Sequence, residues 1–363
     1  MIVSVIYFIL YFSLFILLIL LLLFNRKPYH HKLSEKPPVS ILIAARNEEN
    51  NILACLKAIE ALDYPAGLVE VLIGDDASTD ATKAVVDAFI KDKPLYKCIT
   101  ITGKMGQAKG KGNVLAHLAK LASSDYFFFT DADIQVPRQW VHVMLSEMQE
   151  DVGVVTGITT TKGAGLFARL QNMDWLYALG LMQMVADLKL PVSTMGNNML
   201  LRRQAYEAVG GFEVIPFSVT EDVAIFKAII EKGWQSRNIY DRRVLALSEP
   251  AETILQLLHQ RKRWMRGSMH LPLYMVVVLV LHSAYYPVLL PFFTYTSVGV
   301  MAGIFAFKVV LQSIFVAVCL QRVRQQQPWW LYLLFELYLV ISSVVLIIFF
   351  FLPTSIRWKG RKY

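Results

Sequence analysis

Long uncharged apolar segments at both ends of this 363-residue chain restrict the environments in which it can fold. The segment Met1–Phe24 contains no charged side chain, and a helix needs about 20 apolar residues to cross the hydrocarbon core of a membrane. This segment lacks the basic start and the small-residue cleavage site of a signal peptide. We therefore expect a retained membrane anchor at the N-terminus.

A second apolar region occupies the C-terminal part of the chain. The segment Leu271–Leu320 carries one formal charge, that of Lys308, and is long enough for two crossings divided near Pro287 and Pro291. The segment Trp329–Leu352 predicts one further crossing. With the N-terminal anchor, the sequence therefore predicts four transmembrane helices.

Basic residues beside the first apolar segment set the expected orientation. Arg26, Lys27, Lys32 and Lys36 follow it closely, and the positive-inside rule assigns such a cluster to the cytoplasm. We expect an integral protein of the inner or plasma membrane, with Met1 outside and the middle of the chain in the cytoplasm. Four crossings put the basic C-terminal tail outside, against the rule. The alternative is that one C-terminal segment lies in the membrane interface.

The net charge of +8 is compatible with two kinds of partner. A basic protein is attracted to an anionic membrane leaflet. Nucleic acid is the other possibility, but no recognition motif or basic-aromatic stripe supports it. The sequence therefore predicts a membrane partner and no nucleic acid.

The middle of the chain alternates apolar, β-branched runs with helical patterns. The segments Pro38–Ala45 and Val69–Asp76 predict strands, as do "CITITG" and "YFFFTDAD", and helical apolar spacing separates them. Such alternation predicts βαβ units and an α/β domain with a mainly parallel sheet covered on both faces. Ligands of open α/β sheets bind at the carboxyl ends of the strands.

Acidic side chains follow three of the predicted strands. Glu48 follows the first, Asp75 and Asp76 end the second, and Asp131 and Asp133 follow "YFFFT", where nothing nearby in the sequence neutralises them. Two carboxylates at i and i+2 suit Mg²⁺ or Mn²⁺, and Mg²⁺ is usually held by one or two carboxylates plus substrate phosphates. A lone D-x-D also occurs in acidic surface turns. The position at a strand end, beside a second acidic strand end, favours a metal site and a phosphate-bearing donor.

The chain lacks the common nucleotide-binding loops. No G-x-G-x-x-G follows the first strand, and "GQAKGKGN" has neither the glycine spacing of a P-loop nor its Ser or Thr after Lys. Dinucleotide enzymes and P-loop ATPases, including transporters with such a domain, are therefore excluded. Lys104, Lys109 and Lys111 could face a diphosphate or lie in a solvated basic turn, and this segment alone favours neither.

Two later segments carry further candidate residues. Glu221 and Asp222 begin a helical run, where acidic residues are ordinary, with Thr220 or Ser218 available as a cap. Further on, one helix face carries Gln260, Arg263 and Trp264, at positions i, i+3 and i+4. This face either anchors at the membrane interface or closes a diphosphate site, since Arg donates bidentately and Trp offers a stacking plane.

Seven motifs between Pro38 and Gly267 occur in the order found in membrane-bound family 2 inverting glycosyltransferases, a family with cellulose-, hyaluronan- and ceramide-glucosyltransferase-like members. The chain resembles this family in "ILIAARNEE", "VLIGDDASTD", "GKGN", "FFTDAD", "GNNMLLRRQAYEAVGGF", "TED" and "QRKRW". The resemblance implies a cytosolic GT-A domain, which is Rossmann-like with a mainly parallel sheet, between N- and C-terminal transmembrane helices. The expected organisation is a transmembrane helix at 1–24, a basic linker at 25–37, the GT-A domain at 38–267, about three transmembrane helices at 271–352 and a basic tail at 353–363.

The same resemblance implies a role for each matching residue. Asp222 would be the general base, with Glu221 as the other candidate, and Asp131 and Asp133 would hold Mg²⁺ or Mn²⁺ against the diphosphate of a UDP-sugar. The remaining residues would bind the donor and border the acceptor: Ala45, Arg46, Glu48 and Asp76 beside the nucleoside, Lys111 at the phosphates or the sugar, and Gln260, Arg263 and Trp264 at the diphosphate and the acceptor.

The acceptor is predicted to be a membrane lipid, with a processive polysaccharide synthase as the alternative. Processive members carry an aromatic-Cys-Gly-Ser motif where this chain reads "TMGNNML". The apolar spans offer little beyond His282, Lys308 and Glu336 to line the path of a polar polymer. The segment Phe167–Leu188 is interpreted as a core helix rather than an acceptor-contacting one. A binding protein with a decayed transferase fold is disfavoured because the acidic and basic sets are complete.

Overall fold

The domain between the apolar ends is organised around a sheet that the chain forms from seven separate strands. The computed structural model describes residues 1–25, 33, 35–268, 271–353, 357–358 and 361–362. Its strands are β1 (Val39–Ala45), β2 (Val69–Asp75), β3 (Tyr96–Thr100), β4 (Tyr126–Asp131), β5 (Ile134–Gln135), β6 (Val152–Thr156), β7 (Ile158–Thr161), β8 (Asn198–Arg202), β9 (Gln235–Asn238), β10 (Leu245–Ser248), β11 (Arg357–Trp358) and β12 (Arg361–Lys362).

Helices alternate with these strands and then continue into the apolar C-terminal region. They are α1 (Ile2–Phe24), α2 (Ile52–Glu60), α3 (Thr82–Ile90), α4 (Lys111–Leu121), α5 (Trp140–Ser146), α6 (Leu166–Asp187), α7 (Arg203–Ala208), α8 (Gly211–Val214), α9 (Glu221–Glu231), α10 (Ile254–Ser268), α11 (Leu273–Ser283), α12 (Tyr285–Phe292), α13 (Val298–Arg322) and α14 (Trp329–Phe351).

The main sheet is mainly parallel, as the sequence predicts. Its strand order is β3-β2-β1-β4-β8-β6-β9, and β8 runs antiparallel to both of its neighbours. Ile41 and Ile43 of β1 pack into one buried cluster and Leu42 into another, on the opposite face. Both faces of the strand are therefore covered, which explains why it is apolar at every position rather than at alternate ones. A smaller sheet, β5-β10-β7, accompanies the main one.

The strand register brings the acidic strand ends to one edge. Ala44 pairs with Asp131 of β4, and Ala45 pairs with Asp75 of β2. Because the three strands are parallel, their carboxyl ends meet on either side of β1. The register therefore explains why acidic residues that are far apart in the sequence converge on one rim.

Within the described residues, four helices are long and apolar enough to cross a membrane, which agrees with the predicted number. They are α1, the combined run Leu273–Tyr295 that contains α11 and α12, α13 and α14. The predicted division near Pro287 and Pro291 is wrong, because both prolines lie within α12. Pro287 occupies the first turn, where a missing N–H costs nothing. The division falls instead before α13, where the Ser297 hydroxyl accepts a hydrogen bond from the Val300 amide.

Helix α6 joins the sheet domain to the apolar helices. A Cβ at Gly180 would lie 2.4 Å from Cys319 Sγ, so this glycine lets α13 pack closely against α6. The Tyr177 ring meets Phe315 of α13 edge-on, with ring centroids 5.3 Å apart. Much of α6 is buried, as a core helix should be. The soluble domain and the apolar helices therefore share one packed interior.

Part of the predicted basic linker and tail lies outside the described residues. Arg26, Lys27 and Lys32, on which the expected orientation depends, are among them, and so is Tyr363. Lys36 is described, and its ammonium lies 5.8 Å from the centroid of the Tyr64 ring.

Candidate active site

Lys111 is the centre of a charged cluster at the carboxyl edge of the sheet. It is the first residue of α4, and its Nζ lies 2.6 Å from Asp131 Oδ1 and 3.1 Å from Glu221 Oε1. Gly110 precedes it with φ of 55° and ψ of −133°, a conformation that favours glycine. As expected, no residue nearby in the sequence neutralises Asp131, and the start of α4 instead brings a cation that is distant in the sequence.

The electrostatics of this cluster keep Lys111 charged. Burial alone would lower the pKa of Lys111, but the carboxylates of Asp131, Glu221 and Asp222 outweigh it and raise the pKa above its ordinary value. A buried ammonium held between carboxylates is a fixed positive charge. Lys111 therefore cannot serve as a base, and its direct partners are protein carboxylates.

Asp222 lies on the first turn of α9, and its carboxylate is held by backbone groups. Its Oδ2 accepts a hydrogen bond of 2.7 Å from the Gly196 amide, and its Oδ1 accepts one of 2.9 Å from the Val223 amide. Burial raises the pKa of Asp222, and the Glu221 carboxylate raises it further, against the opposing effect of Lys111. The predicted Thr220 cap is absent, because that side chain makes no capping hydrogen bond to α9. Asp222 is thus a held carboxylate with increased proton affinity.

The backbone at Gly196 fixes the position of Asp222 and provides a test of that position. A Cβ at residue 196 would lie 2.7 Å from Asp222 Cβ and 2.9 Å from Oδ2. We predict that Gly196→Ala displaces the carboxylate and lowers kcat by about 10²-fold, the typical effect of a 1 Å misplacement. Gly165→Ala is the matched control, since a Cβ there meets nothing within 4 Å. Equal rates in both variants would show that the Asp222 position does not limit turnover.

The loops after β1 and β2 are tied to each other. The Arg46 guanidinium donates to the carbonyl oxygens of Asp76 and Ala77, and the Asp76 amide donates to the Ala45 carbonyl at 2.9 Å. Asn47 and Ala77 both have positive φ, near 52° and 54°. Strained non-glycine residues of this kind cluster at functional sites.

Further cross-loop bonds were not apparent in the sequence. The Asn47 amide donates to Ser78 Oγ at 3.1 Å, and Asn47 Oδ1 accepts from the Thr79 amide at 2.9 Å. The Glu48 amide donates to Thr82 Oγ1 at 2.7 Å. The two loops therefore form one rigid wall, and only the clustering of Asn, Ser and Thr after both strands hinted at it.

Helix α10 presents the second wall. Arg261 Nη2 lies 2.5 Å from Asp174 Oδ2 of α6, and the Arg261 guanidinium carbon lies 4.6 Å from the centroid of the Trp264 ring. The Trp175 ring meets Trp264 edge-on, with centroids 4.8 Å apart. Lys262 donates to the carbonyls of Phe349 and Leu352 at the end of α14. Helix α10 is therefore held on two sides, by Arg261 and by Lys262. Neither residue belongs to the predicted set of Gln260, Arg263 and Trp264.

A cavity of about 1080 Å³ joins these walls and extends between the apolar helices. Ten of the predicted site residues line it: Arg46, Glu48, Lys111, Asp131, Asp133, Glu221, Asp222, Gln260, Arg263 and Trp264. Ala45 and Asp76 do not line it, and the Ala45 side chain is buried. Asp174 and Trp175 of α6 also line the cavity. The interpretation of Phe167–Leu188 as a core helix does not predict this.

The far end of the same cavity is formed by candidate membrane spans. It is lined there by Phe15 and Leu18 of α1, Met275 and Leu279 of α11, and Leu339 and Leu346 of α14. Tyr11, His282, Ser283 and Ser343 of these spans line it as well. The cavity therefore has a charged end at the sheet and a mainly apolar end among the membrane helices.

The donor set at the charged end fits a divalent metal that is completed by a ligand. Within the described part of the chain, no group of three or more His, Cys, Asp and Glu side chains could hold a metal ion unaided. Two carboxylates plus substrate phosphates are the usual environment of Mg²⁺. Burial raises the pKa of the Cys55 thiol, and Asp133, Asp131 and Glu48 raise it further. The three carboxylates thus create a negative potential at the buried Cys55 thiol, and such a potential attracts a cation.

Cationic side chains gather on the other side of Lys111. A small recess beside the cavity is lined by Lys109, Lys111, Glu221 and Arg263. Arg263 also lines the main cavity, so its guanidinium belongs to both. Lys104 is not among the lining residues. The recess is small, about 20 Å³, and Lys111 within it is paired with Asp131 and Glu221 rather than exposed in a solvated turn, which leaves Lys109 and Arg263 as the cations at its wall.

Comparisons with known proteins agree with this architecture. The family model described as Glycosyl transferase family 21 matches residues 5–363. A Beta-monoglucosyldiacylglycerol synthase of Nostoc sp. is 26% identical over 361 residues, which cover 89% of this chain and 75% of the relative. A Poly-beta-1,6-N-acetyl-D-glucosamine synthase of Staphylococcus epidermidis is 25% identical over 253 residues, or 67% of this chain and 59% of the relative.

A solved structure has the same fold. The mannosyltransferase PcManGT from Pyrobaculum calidifontis, in complex with GDP-Man and Mn²⁺, superposes with a TM-score of 0.61 at 16% sequence identity. The superposition covers 95% of this chain and 97% of that one. The expected GT-A-like fold is confirmed.

Proposed function

The chain belongs to glycosyl transferase family 21, and from this premise we propose that it moves one sugar from a UDP-sugar to a hydroxyl group of a membrane lipid. It is a membrane glycosyltransferase. The donor, the lipid acceptor, the metal and the base are our proposals.

The cavity is the observation that carries the lipid acceptor. Its volume of about 1080 Å³ exceeds the roughly 300–1,000 Å³ of a typical site for one small molecule. Asp222 lines its charged end, and apolar side chains of α1, α11 and α14 line the other. A molecule with a polar head and an apolar tail matches both ends. The lipid would reach Asp222 from the bilayer, past α10.

A processive polysaccharide synthase is the alternative, supported by the Staphylococcus epidermidis relative. A secreted polymer needs a polar path through the spans. Lys308 and Glu336 are buried and form an ion pair with each other, and the Tyr286 hydroxyl donates to Glu336. Neither of these two residues lines the cavity, and of the three residues named for a polymer path only His282 does. The spans therefore favour a lipid acceptor over a polymer.

The proposed chemistry is a single displacement. Asp222 accepts the proton of the acceptor hydroxyl while that oxygen attacks the anomeric carbon and the bond to UDP breaks. The raised pKa of Asp222 makes it a stronger base than an exposed aspartate. Arg263 donates to the departing diphosphate, beside Lys109. One displacement inverts the anomeric centre, so an α-linked donor gives a β-glycoside.

Asp133 and Asp131 would hold Mg²⁺ or Mn²⁺ at the diphosphate. When bound, the ion supplies positive charge that stabilises the leaving group. Lys111 Nζ lies 2.6 Å from Asp131 Oδ1 and is ion-paired with it. We therefore assign Asp133 the more direct contact and give Lys111 the role of positioning Asp131 and Glu221. This replaces the direct phosphate contact that the family resemblance implies for Lys111.

We also propose that the catalytic domain is cytoplasmic and that Met1 is outside. Val3 lies in the first turn of α1, at the end of the span next to Met1, and Lys120 is exposed on the sheet domain, so a cysteine at either position is close to the water on its own side. We predict that a membrane-impermeant thiol reagent labels Val3→Cys in intact cells and labels Lys120→Cys only after permeabilisation. The unmodified protein controls for its native thiols, of which Cys55 and Cys319 are buried. Labelling of Lys120→Cys in intact cells would reverse the orientation.

The function is tested with the full chain reconstituted in vesicles that contain diacylglycerol. The donors are labelled UDP-glucose, UDP-galactose, UDP-N-acetylglucosamine and GDP-mannose. We expect one UDP-sugar to give label that extracts into organic solvent and depends on the lipid. Label from GDP-mannose alone would contradict the UDP donor, and water-soluble label in vesicles without diacylglycerol would favour the polymer synthase.

A further inference from the structure

Four residues that line the cavity carry a buried polar atom without a hydrogen-bond partner among the described residues: Asp131, Trp175, His259 and Gln260. Asp131 Oδ1 is ion-paired with Lys111, and the two residues that adjoin Trp264 contribute Nε1 of Trp175 and Oε1 of Gln260. The Trp175 side chain is buried, with 5% relative exposure. A buried donor or acceptor without a partner is destabilising, so these atoms need a ligand or another compensation.

Both residues adjoin Trp264. Gln260 precedes it by one helical turn on α10, so the two share a helix face. Trp175 of α6 packs edge-on against the Trp264 ring, at 4.8 Å between centroids. The Arg261 guanidinium contacts the same ring at 4.6 Å and is itself held by Asp174. The indole of Trp264 is therefore held by Trp175 and Arg261, and the two residues that carry the unpaired atoms both adjoin it.

The chemistry of the two atoms identifies the class of ligand. An indole N–H can only donate a hydrogen bond, and an amide oxygen can only accept one. A phosphate has no proton for the amide oxygen at neutral pH, and an acyl chain satisfies neither atom. A hydroxyl group both donates and accepts, so it can satisfy both. A sugar or polyol that carries such a hydroxyl group can also stack its C–H face on an indole ring.

We propose that Trp175 is a substrate-binding residue whose indole N–H donates to a hydroxyl group of the sugar or of the lipid head group, opposite Gln260. This inference rests on the proposed function and adds Trp175 of α6 to the site. The hydroxyl it binds is separate from the attacking one, which Asp222 contacts. Trp175 therefore affects which polyol fits more than how fast the bound complex reacts.

The test compares Trp175→Phe with the unmodified protein in the vesicle assay, with the UDP-sugar that proves active as donor and diacylglycerol as acceptor. Phenylalanine keeps a ring against Trp264 and removes the N–H. We expect KM to rise about 3- to 10-fold for one substrate, the effect of a lost hydrogen bond, with kcat nearly unchanged. A rise in the donor KM assigns the hydroxyl to the sugar, and a rise in the acceptor KM assigns it to the lipid.

Trp234→Phe is the matched control, because Trp234 packs against the other core cluster, away from the cavity lining. Unchanged KM values for both substrates in Trp175→Phe would overturn the proposal. So would a lower melting temperature with a lower kcat and unaltered KM, since that result describes a structural role. If the unmodified protein transfers no sugar to diacylglycerol, the proposed function fails; if it is active and Trp175→Phe equals it, only this inference fails.

Discussion

Replacement of Asp222 by asparagine should lower kcat by about 10²–10⁴-fold and leave UDP binding unchanged. The amide has nearly the same shape and can still accept the 2.7 Å hydrogen bond from Gly196, but it cannot take up the proton of the acceptor. Single-turnover rates and UDP titration calorimetry measure the two effects separately. A variant that keeps most of its rate would move the base elsewhere, with Glu221 as the first candidate.

Glu221, the neighbour of the proposed base Asp222, allows a second test, which uses the pH dependence of kcat/KM. A carboxylate base is lost as the pH falls through its pKa, so the raised pKa of Asp222 should place the acid limb of kcat/KM above the ordinary aspartate value of about 3.9. Glu221→Gln removes one of the charges that raise this pKa. The acid limb should then move to lower pH. A limb that stays in place or moves upward would contradict the assignment of Asp222 as the base.

Removal of the metal, or of Asp133, should abolish nearly all turnover. Metal stabilisation of the leaving group contributes several kcal/mol, so we expect EDTA or Asp133→Ala to reduce kcat by about 10³-fold. Mn²⁺ binding, followed by electron paramagnetic resonance, should be strong only when UDP is present, because the described residues offer no group of three or more ligands. Asp133→Ala should weaken that binding.

The control for Asp133→Ala is a substitution of Asp125. Asp125 lies just before β4, whereas Asp133 lies just after it. Asp125 directly precedes β4, and its side chain is 85% exposed, with a long 3.9 Å contact to Arg203. Asp125→Ala should keep normal activity and normal Mn²⁺ binding. Full turnover in EDTA, or an Asp133→Ala protein as active as the Asp125→Ala protein, would rule out the metal.

Local patterns in the sequence were sufficient for the sheet and for the acidic rim. Val69–Asp75 and Tyr126–Asp131 are apolar runs that end in an aspartate, Val39–Ala45 is followed closely by Glu48, and parallel strands put such ends on one edge. The convergence of Asp131, Asp133 and Asp222 on one cavity therefore follows from periodicity together with the family resemblance.

Contacts between distant elements could not be predicted in the same way. The Lys111–Asp131 pair depends on the packing of the start of α4 against the end of β4, which no local pattern encodes. Asp174 and Trp175 lie in a helix rich in Met and aromatic residues, so they look like core residues. Their role at the cavity depends on α10 packing across α6, which requires the three-dimensional structure.

The number of sugars on the product tests the central proposal most directly. The reconstituted full-length protein is incubated to exhaustion of the labelled UDP-sugar that proves active, with excess diacylglycerol, and the products are separated by thin-layer chromatography and analysed by mass spectrometry. We predict a single lipid product whose mass exceeds that of the acceptor by one sugar residue. A water-soluble ladder of high mass that a glycosidase degrades would contradict the account and make the chain a polysaccharide synthase.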